Sequence, residues 1–440
     1  MLRKQFFVQV RSAHAIALVA LLLVGAVAVL PAEAQTYTVL HDFTDSPDGA
    51  IPNPIIRDAQ GNLYGTTKYG GIATCGLGTC GTVFKVDSAG KETVLYSFEG
   101  GTNGTNPDAG LVRDPSGNLY GTTQGNGFID GSAVVFKLEP NGRETSLDIA
   151  GPNACCFDSP LALDAQGNLY GMSPYGGTPN CGLVENQLGC GTLFKLTPDG
   201  RFTVLHTFTG TDGIQPEGGV VLDGKDNLYG TASTGGELSC DYPGFGQPFE
   251  KGCGTIYKLD STGNFTLLHT FTGPGDGADP LGVIIDSEGD LYGIAGSGGD
   301  IVGDYIYGLG TIFKVDTSGN FSVLFTFAPC NQPPCTGGQV RNPVYASHLL
   351  RDLKGNLYGL QQFNNCAKGG GCLFRIDTAG NITDLYDFEG EGEGPDGFTP
   401  MGVVFGSADD VYGSMFTGGD SNGGGDCSIG CGTVFHLTAH

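Results

Sequence analysis

Gly110-Leu111-Val112-Arg113-Asp114-Pro115-Ser116-Gly117-Asn118-Leu119-Tyr120-Gly121-Thr122-Thr123 is the stretch that decides the fold. Leu111-Val112 is a short apolar run, and Asp114 to Gly117 is a turn. Leu119 to Thr123 is a second run. Beyond a Gly-rich loop lies Val134-Val135-Phe136-Lys137-Leu138. A second turn, Pro140-Asn141-Gly142, leads into Arg143-Glu144-Thr145-Ser146-Leu147. Four short runs joined by Gly/Asn/Asp turns, with no 3.6-residue period, read as four β-strands, A to D.

The unit recurs. A hydrophobic-Tyr-Gly triplet stands at Leu63-Tyr64-Gly65, Leu119-Tyr120-Gly121, Leu169-Tyr170-Gly171, Leu228-Tyr229-Gly230, Leu291-Tyr292-Gly293, Leu357-Tyr358-Gly359 and Val411-Tyr412-Gly413, spaced 50 to 66 residues apart. Strand C has its own marker, Gly-Thr-hydrophobic-aromatic, from Gly81, Gly191, Gly254, Gly310 and Gly432; Ala133 to Phe136 and Gly371 to Phe374 are degenerate copies. Strand D reads Val94-Leu95-Tyr96-Ser97-Phe98, Val204-Leu205-His206-Thr207-Phe208 or Val323-Leu324-Phe325-Thr326-Phe327. The A–B turns share Asp-x-x-Gly, starting at Asp58, Asp114, Asp164, Asp286 and Asp352. The Asp caps its own turn and the Gly accepts positive φ. These turns offer too few oxygens for Ca²⁺.

The chain ends fix the topology. Tyr37-Thr38-Val39-Leu40-His41-Asp42-Phe43 is a lone strand D, and Thr433-Val434-Phe435-His436-Leu437 is a strand C with no D after it. The first strand therefore completes the last unit and hides both free sheet edges. The expected fold is all-β: a seven-bladed β-propeller of four-stranded blades, spanning residues 35–440 as one domain.

Residues 1–34 read differently. Arg3, Lys4 and Arg11 precede an uncharged apolar run from Ala15 to Leu30, and Ala32-Glu33-Ala34 is an A-x-A-type cleavage site. This is the pattern of a secretory signal peptide. No later apolar stretch is long enough to span a bilayer. A secreted, extracellular or periplasmic protein is expected. Its formal net charge of −25 argues against nucleic acid. The 77 Gly without a G-X-Y period indicate turns rather than collagen. With no Trp, the aromatic core must come from 17 Tyr and 26 Phe.

Leu119-Tyr120-Gly121-Thr122-Thr123, Gly81-Thr82-Val83-Phe84-Lys85 and Val94-Leu95-Tyr96-Ser97-Phe98 together resemble the tandem GloVer repeat family of exported bacterial proteins. The likeness covers nearly all of residues 36–440. It implies repeats and a surface destination, and no particular activity. Members often carry a variable C-terminal sorting segment. Here Thr438-Ala439-His440 follows strand C directly, so secretion is expected rather than surface attachment.

Fourteen Cys form seven local pairs. Five lie in B–C loops: Cys75/Cys80, Cys181/Cys190, Cys240/Cys253, Cys366/Cys372 and Cys427/Cys431. Two lie in D–A loops, Cys155/Cys156 and Cys330/Cys335, in the repeats that lack a B–C pair. Export favours disulfides. Some spacings suit zinc, but no His cluster accompanies them. The vicinal Cys155-Cys156 pair reads as a redox switch, a rigid ligand platform or a structural turn.

In a propeller, strand A lines the central channel, and the long B–C and D–A loops share one face. Function usually lives on such loops. Five D–A loops carry Asp/Asn-Gly-x-x-Pro, from Asp48, Asn103, Asp212, Asp276 and Asp396. The element is either a structural turn or a ring of carboxylates that attracts a cation or polyol. Asp48, Asp212, Asp276, Asp396 and His348, the one His at a strand A position, are the candidate ligand-binding residues. His41, His206 and His269 sit on strand D and are expected at the surface. No catalytic residue, metal site or cofactor is assigned, since nucleophile elbows, phosphate loops and H-E-x-x-H are absent. Strand A positions are Pro54, Gly110, Pro160, Gly219, Gly282 and Gly402. The expected function is a monomeric binding or scaffold propeller for a glycan or surface polymer. The alternative is an exported enzyme, a metal-dependent lactonase or a polysaccharide lyase.

Overall fold

In blades 1 to 6 each repeat folds into one antiparallel sheet whose strands pair in sequence order. The computed structural model describes residues 36–75, 78–124, 133–149, 157, 159–177, 189–240, 252–299, 308–329, 339–340, 349–362, 366, 368–390, 397–406, 410–419, 427 and 430–438. Blade 2 is representative, with strands Val112–Arg113, Leu119–Thr123, Val134–Leu138 and Glu144–Ile149. In blade 1 the innermost strand is interrupted: Ala50–Pro52 and Ile56–Arg57 both pair with Leu63–Tyr69. In blade 7, Thr36–Asp42 forms the outermost strand beside Thr433–Thr438, followed inward by Asp410–Thr417 and Phe398–Phe405. The N-terminal strand thus completes the last blade of a seven-bladed β-propeller, as expected. Among the described residues, no helix is long and apolar enough to cross a membrane.

The triplet has a packing cause. In blade 2, Leu119 is buried, and Gly121 pairs with Phe136 in register. A Cβ on Gly121 would lie 2.7 Å from Phe136 Cζ, and at Gly293 and Gly413 the gap to the facing Phe falls to 2.3 and 2.4 Å. The Gly is there for space: the strand C ring lies flat over it. Six described C–D pairings, in blades 1 to 6, carry a β-bulge just before that aromatic. Such bulges add local twist.

Blades are joined by aromatic pairs. A Phe at the end of strand D or just beyond it, and in blade 2 Phe157 of the following loop, meets the strand C aromatic of the next blade. Going round, the centroid distances are 5.1 Å for Phe98–Phe136, 5.1 Å for Phe157–Phe194, 5.3 Å for Phe208–Tyr257 and 5.3 Å for Phe271–Phe313. They are 5.9 Å for Phe327–Phe374, 5.5 Å for Phe388–Phe435 and 5.0 Å for Phe43–Phe84. Tilted or edge-on pairs of this kind contribute about 0.5–1.5 kcal/mol each beyond their buried area. The final pair closes the ring, because Phe43 follows the strand that completes blade 7. Asn53 adds a polar tie at the same place. It is 1% exposed, donates to Pro107 O of the next blade at 2.8 Å, and its carbonyl accepts from Ser414 Oγ of blade 7 at 2.9 Å.

Candidate functional site

The innermost strands enclose a cavity of about 490 Å³. Pro54, Gly110, Pro160, Gly219 and Gly282 line it, as do Val220, Leu281, Val283, Ile294, Leu349 and Met401. The small residues are required by close approach between blades. A Cβ on Gly218 would stand 2.3 Å from Leu281 O, and one on Gly402 2.7 Å from Pro54 Cβ. Among the described residues, two carboxylates reach the wall, Asp108 and Glu217. Asp108 is held by Lys68 Nζ at 2.8 Å. The lining is mainly aliphatic, Gly and Pro.

On the short-turn face, the Asp of Asp-x-x-Gly does more than cap a turn. Asp58 Oδ1 accepts the amides of Gln60 and Asn62 at 3.0 and 2.8 Å, and Oδ2 accepts Asn62 Nδ2 and the Tyr64 hydroxyl at 2.8 and 3.1 Å. Tyr120, Tyr170, Tyr229 and Tyr358 bond their turn Asp in the same way at 3.1–3.2 Å. Burial pulls Asp58, Asp114, Asp164, Asp223 and Asp352 upward, but these bonds outweigh it and hold them below the usual carboxylate range. Burial and the neighbouring Asp push Tyr120 and Tyr229 up to about 12. The Tyr of the triplet is therefore the far end of a turn clasp. Blade 4 keeps the clasp with Asp226 at φ 59° in place of Gly.

Blade 5 departs from this pattern, since Asp290 replaces the turn Asn. Asp286, Glu288 and Asp290 then lie close enough together to hold a metal ion, beside a cleft of about 540 Å³ between blades 4 and 5. Their charge is already countered. Lys314 pairs with Asp290 and Arg351 with Asp286, at 2.5 and 3.3 Å.

On the loop face, the sequence-predicted carboxylates meet the strand D histidines. His41 Nε2 donates to Asp48 Oδ2 at 3.1 Å, His206 to Asp212 at 2.9 Å and His269 to Asp276 at 3.1 Å. The other oxygen of each Asp caps the loop: the hydroxyls of Thr44, Thr209 and Thr272 bond it at 2.7, 3.0 and 2.9 Å. Burial raises Asp48 and Asp212, but the bonds from His and Thr prevail and lower both. The three His side chains are only 19–20% exposed. This corrects the expectation that they are surface residues. His206 and His269 also stack on Phe265 and Phe321 of the next blade at 3.8 and 3.7 Å.

Blade 1 shows that the pair behaves as a unit. Tyr96 stands in the His position and Asn103 in the Asp position, and Asn103 Nδ2 donates to the Tyr96 hydroxyl at 2.8 Å. Asp48, Asp212 and Asp276 therefore sit at the outer strand, each in its own loop. Asp396 and His348 lie outside the described residues. The sequence signal for the clasp was only partial: both positions change together in blade 1, whereas blade 6 has Tyr386 in the His position and keeps Asp396. Replacing His206 or Asp212 singly by Ala should cost about 1–3 kcal/mol by stranding a half-buried polar partner. The double replacement should cost clearly less than the two singles combined in a urea-unfolding cycle.

Four of the expected disulfides are present: Cys75–Cys80, Cys240–Cys253, Cys366–Cys372 and Cys427–Cys431. Cys190 is disulfide-bonded. Cys181, Cys155, Cys156, Cys330 and Cys335 lie outside the described residues.

A family model described as Gloeobacter/Verrucomicrobia repeat matches residues 24–241 and 185–342. No curated protein matches the sequence. Among solved structures, the chain is similar to a catalytically inactive virginiamycin B lyase from Staphylococcus aureus with quinupristin. The identity is 12% and the TM-score 0.56, over 92% of this chain and 100% of that one. A gluconolactonase from Xanthomonas campestris is 12% identical with a TM-score of 0.39, over 92% and 90%. The PQQ-bound aldose sugar dehydrogenase of Streptomyces coelicolor is 12% identical with a TM-score of 0.41, over 92% and 99%. At these identities the first likeness concerns the fold alone.

Proposed function

The chain belongs to the Gloeobacter/Verrucomicrobia repeat family, and from that premise we propose that it is a secreted, non-catalytic binding or scaffold propeller. Its ligand is a glycan or another surface polymer, met on the loop face. One observation carries the reading: the described wall of the axial cavity is mainly Gly, Pro and aliphatic side chains, and its carboxylates are only Asp108, tied to Lys68, and Glu217. An enzyme of this architecture needs several titratable groups converging on one point. The recurrent polar groups here are instead spent within turns and loops. The disulfides support an oxidising compartment.

The test uses protein recovered from the culture medium of its native host. Its first residue is expected to be Gln35, after loss of residues 1–34. Glycan-array screening of that material should give saturable binding, and elemental analysis should find no stoichiometric metal. A tightly held metal ion together with turnover of lactones or of a polysaccharide would sink the proposal.

A further inference from the structure

Four cysteines, Cys80, Cys190, Cys253 and Cys431, stand directly before the Gly of the strand C marker. Their backbone carbonyls point at the next blade. They accept the amides of Asn106 at 2.9 Å, Gln215 at 3.0 Å, Asp279 at 3.1 Å and Ile51 at 2.7 Å. Each of those residues precedes a Pro, and each holds a positive φ: 54°, 53°, 58° and 60°. Side chains avoid that region, β-branched Ile most of all, so the surroundings must impose it. The Pro supplies the second contact. A Cβ on Gly81, Gly191, Gly254 or Gly432 would meet the Cδ of Pro107, Pro216, Pro280 or Pro52 at 2.7, 2.3, 2.4 and 2.4 Å.

The strained X-Pro segment of one blade is thus docked on the Cys-Gly of the blade before it. Blade 6 offers a natural contrast. Its Cys372 comes one place later, after Gly371, while Thr399 still has φ 64° against it. There the residue before the marker Gly is Gly370, and Pro400 Cδ still lies 2.9 Å from a Cβ on Gly371.

We propose that these disulfides are inter-blade latches set by oxidation. When a pair such as Cys75 and Cys80 closes, it fixes the carbonyl that holds the next blade's X-Pro segment. The two thiols give up two protons and two electrons to a small-molecule disulfide, whose own S–S bond breaks to leave two thiols. The latch adds a backbone tie between blades that the aromatic pairs already join, as with Cys80 beside Phe98 and Phe136. The inference is independent of what the loop face binds.

Hydrogen exchange on the full chain tests it, with oxidised protein, protein reduced by dithiothreitol, and the double variant Cys75→Ser/Cys80→Ser. In the double variant the Asn106 amide should exchange at least about tenfold faster, as for a local opening. Gln215 and Asp279 should keep their oxidised rates, as should the strand amides of Leu119–Thr123. Reduction should release Ile51, Asn106, Gln215 and Asp279 together, and Thr399 least. An unchanged Asn106 amide overturns the proposal. So does acceleration throughout the molecule, which would make the disulfides general supports of the fold. If reduced protein aggregates, the double variant alone decides.

Discussion

A chain shortened to begin at Thr44 should lose its cooperative unfolding transition at ambient temperature, or survive only as an oligomer joined through open sheet edges. The missing segment holds the outer strand of blade 7, Thr36–Asp42, together with Phe43. Phe43 is 1% exposed and meets Phe84 at 5.0 Å. Truncating a buried Phe costs about 3–5 kcal/mol by itself. Tyr37 goes as well, and it stacks on Tyr386 and Phe435 at 5.1 and 5.3 Å. Set against a whole-domain margin of about 5–15 kcal/mol, losses of this size exhaust stability. Calorimetry with light scattering reads the outcome. A synthetic peptide covering residues 35–45 should restore the transition in a concentration-dependent way, since binding to the native state stabilises it. A shortened chain that melts as a monomer at the parent temperature would show that blade 7 holds without its fourth strand.

Phe313→Ala should be among the most damaging single substitutions at the described core positions, at about 3–5 kcal/mol. Phe313 is fully buried, covers Gly293 and packs against Phe271 and Phe321 at 5.3 and 5.6 Å. The Ala variant leaves a void over a Gly that has no side chain to collapse into it. Urea unfolding should show a lower midpoint with little change in slope. Phe313→Tyr should cost much less, because Tyr257 occupies the same place in blade 4 and sends its hydroxyl to Met172 Sδ at 2.8 Å. Equal losses for Ala and Tyr would mean that the site has no room for a para hydroxyl, and that overpacking there is as damaging as the void.

The fold was legible because its causes are local and repeated. Gly121 and Phe136 are each visible in their own strands, and the recurring markers imply that they face each other. The offset of the ends announced the closing strand. The candidate site was less legible. Asp48, Asp212 and Asp276 stood out by spacing, but nothing in the loop motif named His41, His206 and His269 as their partners. A carboxylate ring at the channel and a His-bonded turn share one pattern until geometry separates them. The Tyr of the triplet was hidden in another way, since its function lies in a hydroxyl that reaches six residues back to Asp58. Asn53 gave no signal at all. It joins Ser414 across 361 positions, beyond any window of a linear reading.

The structural blade runs A to D, whereas the chain from one strand D to the following strand C forms the period that links neighbours. Each such D-to-C segment carries both partners of one inter-blade aromatic pair, as Phe98 and Phe136 show, and is bounded by a strand D and a strand C that pair with the adjoining segments. A coding segment cut at those points and copied in frame would therefore deliver a wedge whose two flanks already fit any existing neighbour. Recombination could lengthen or shorten such an array without inventing a new surface, and the seam would always fall between a strand C and the strand D that covers it.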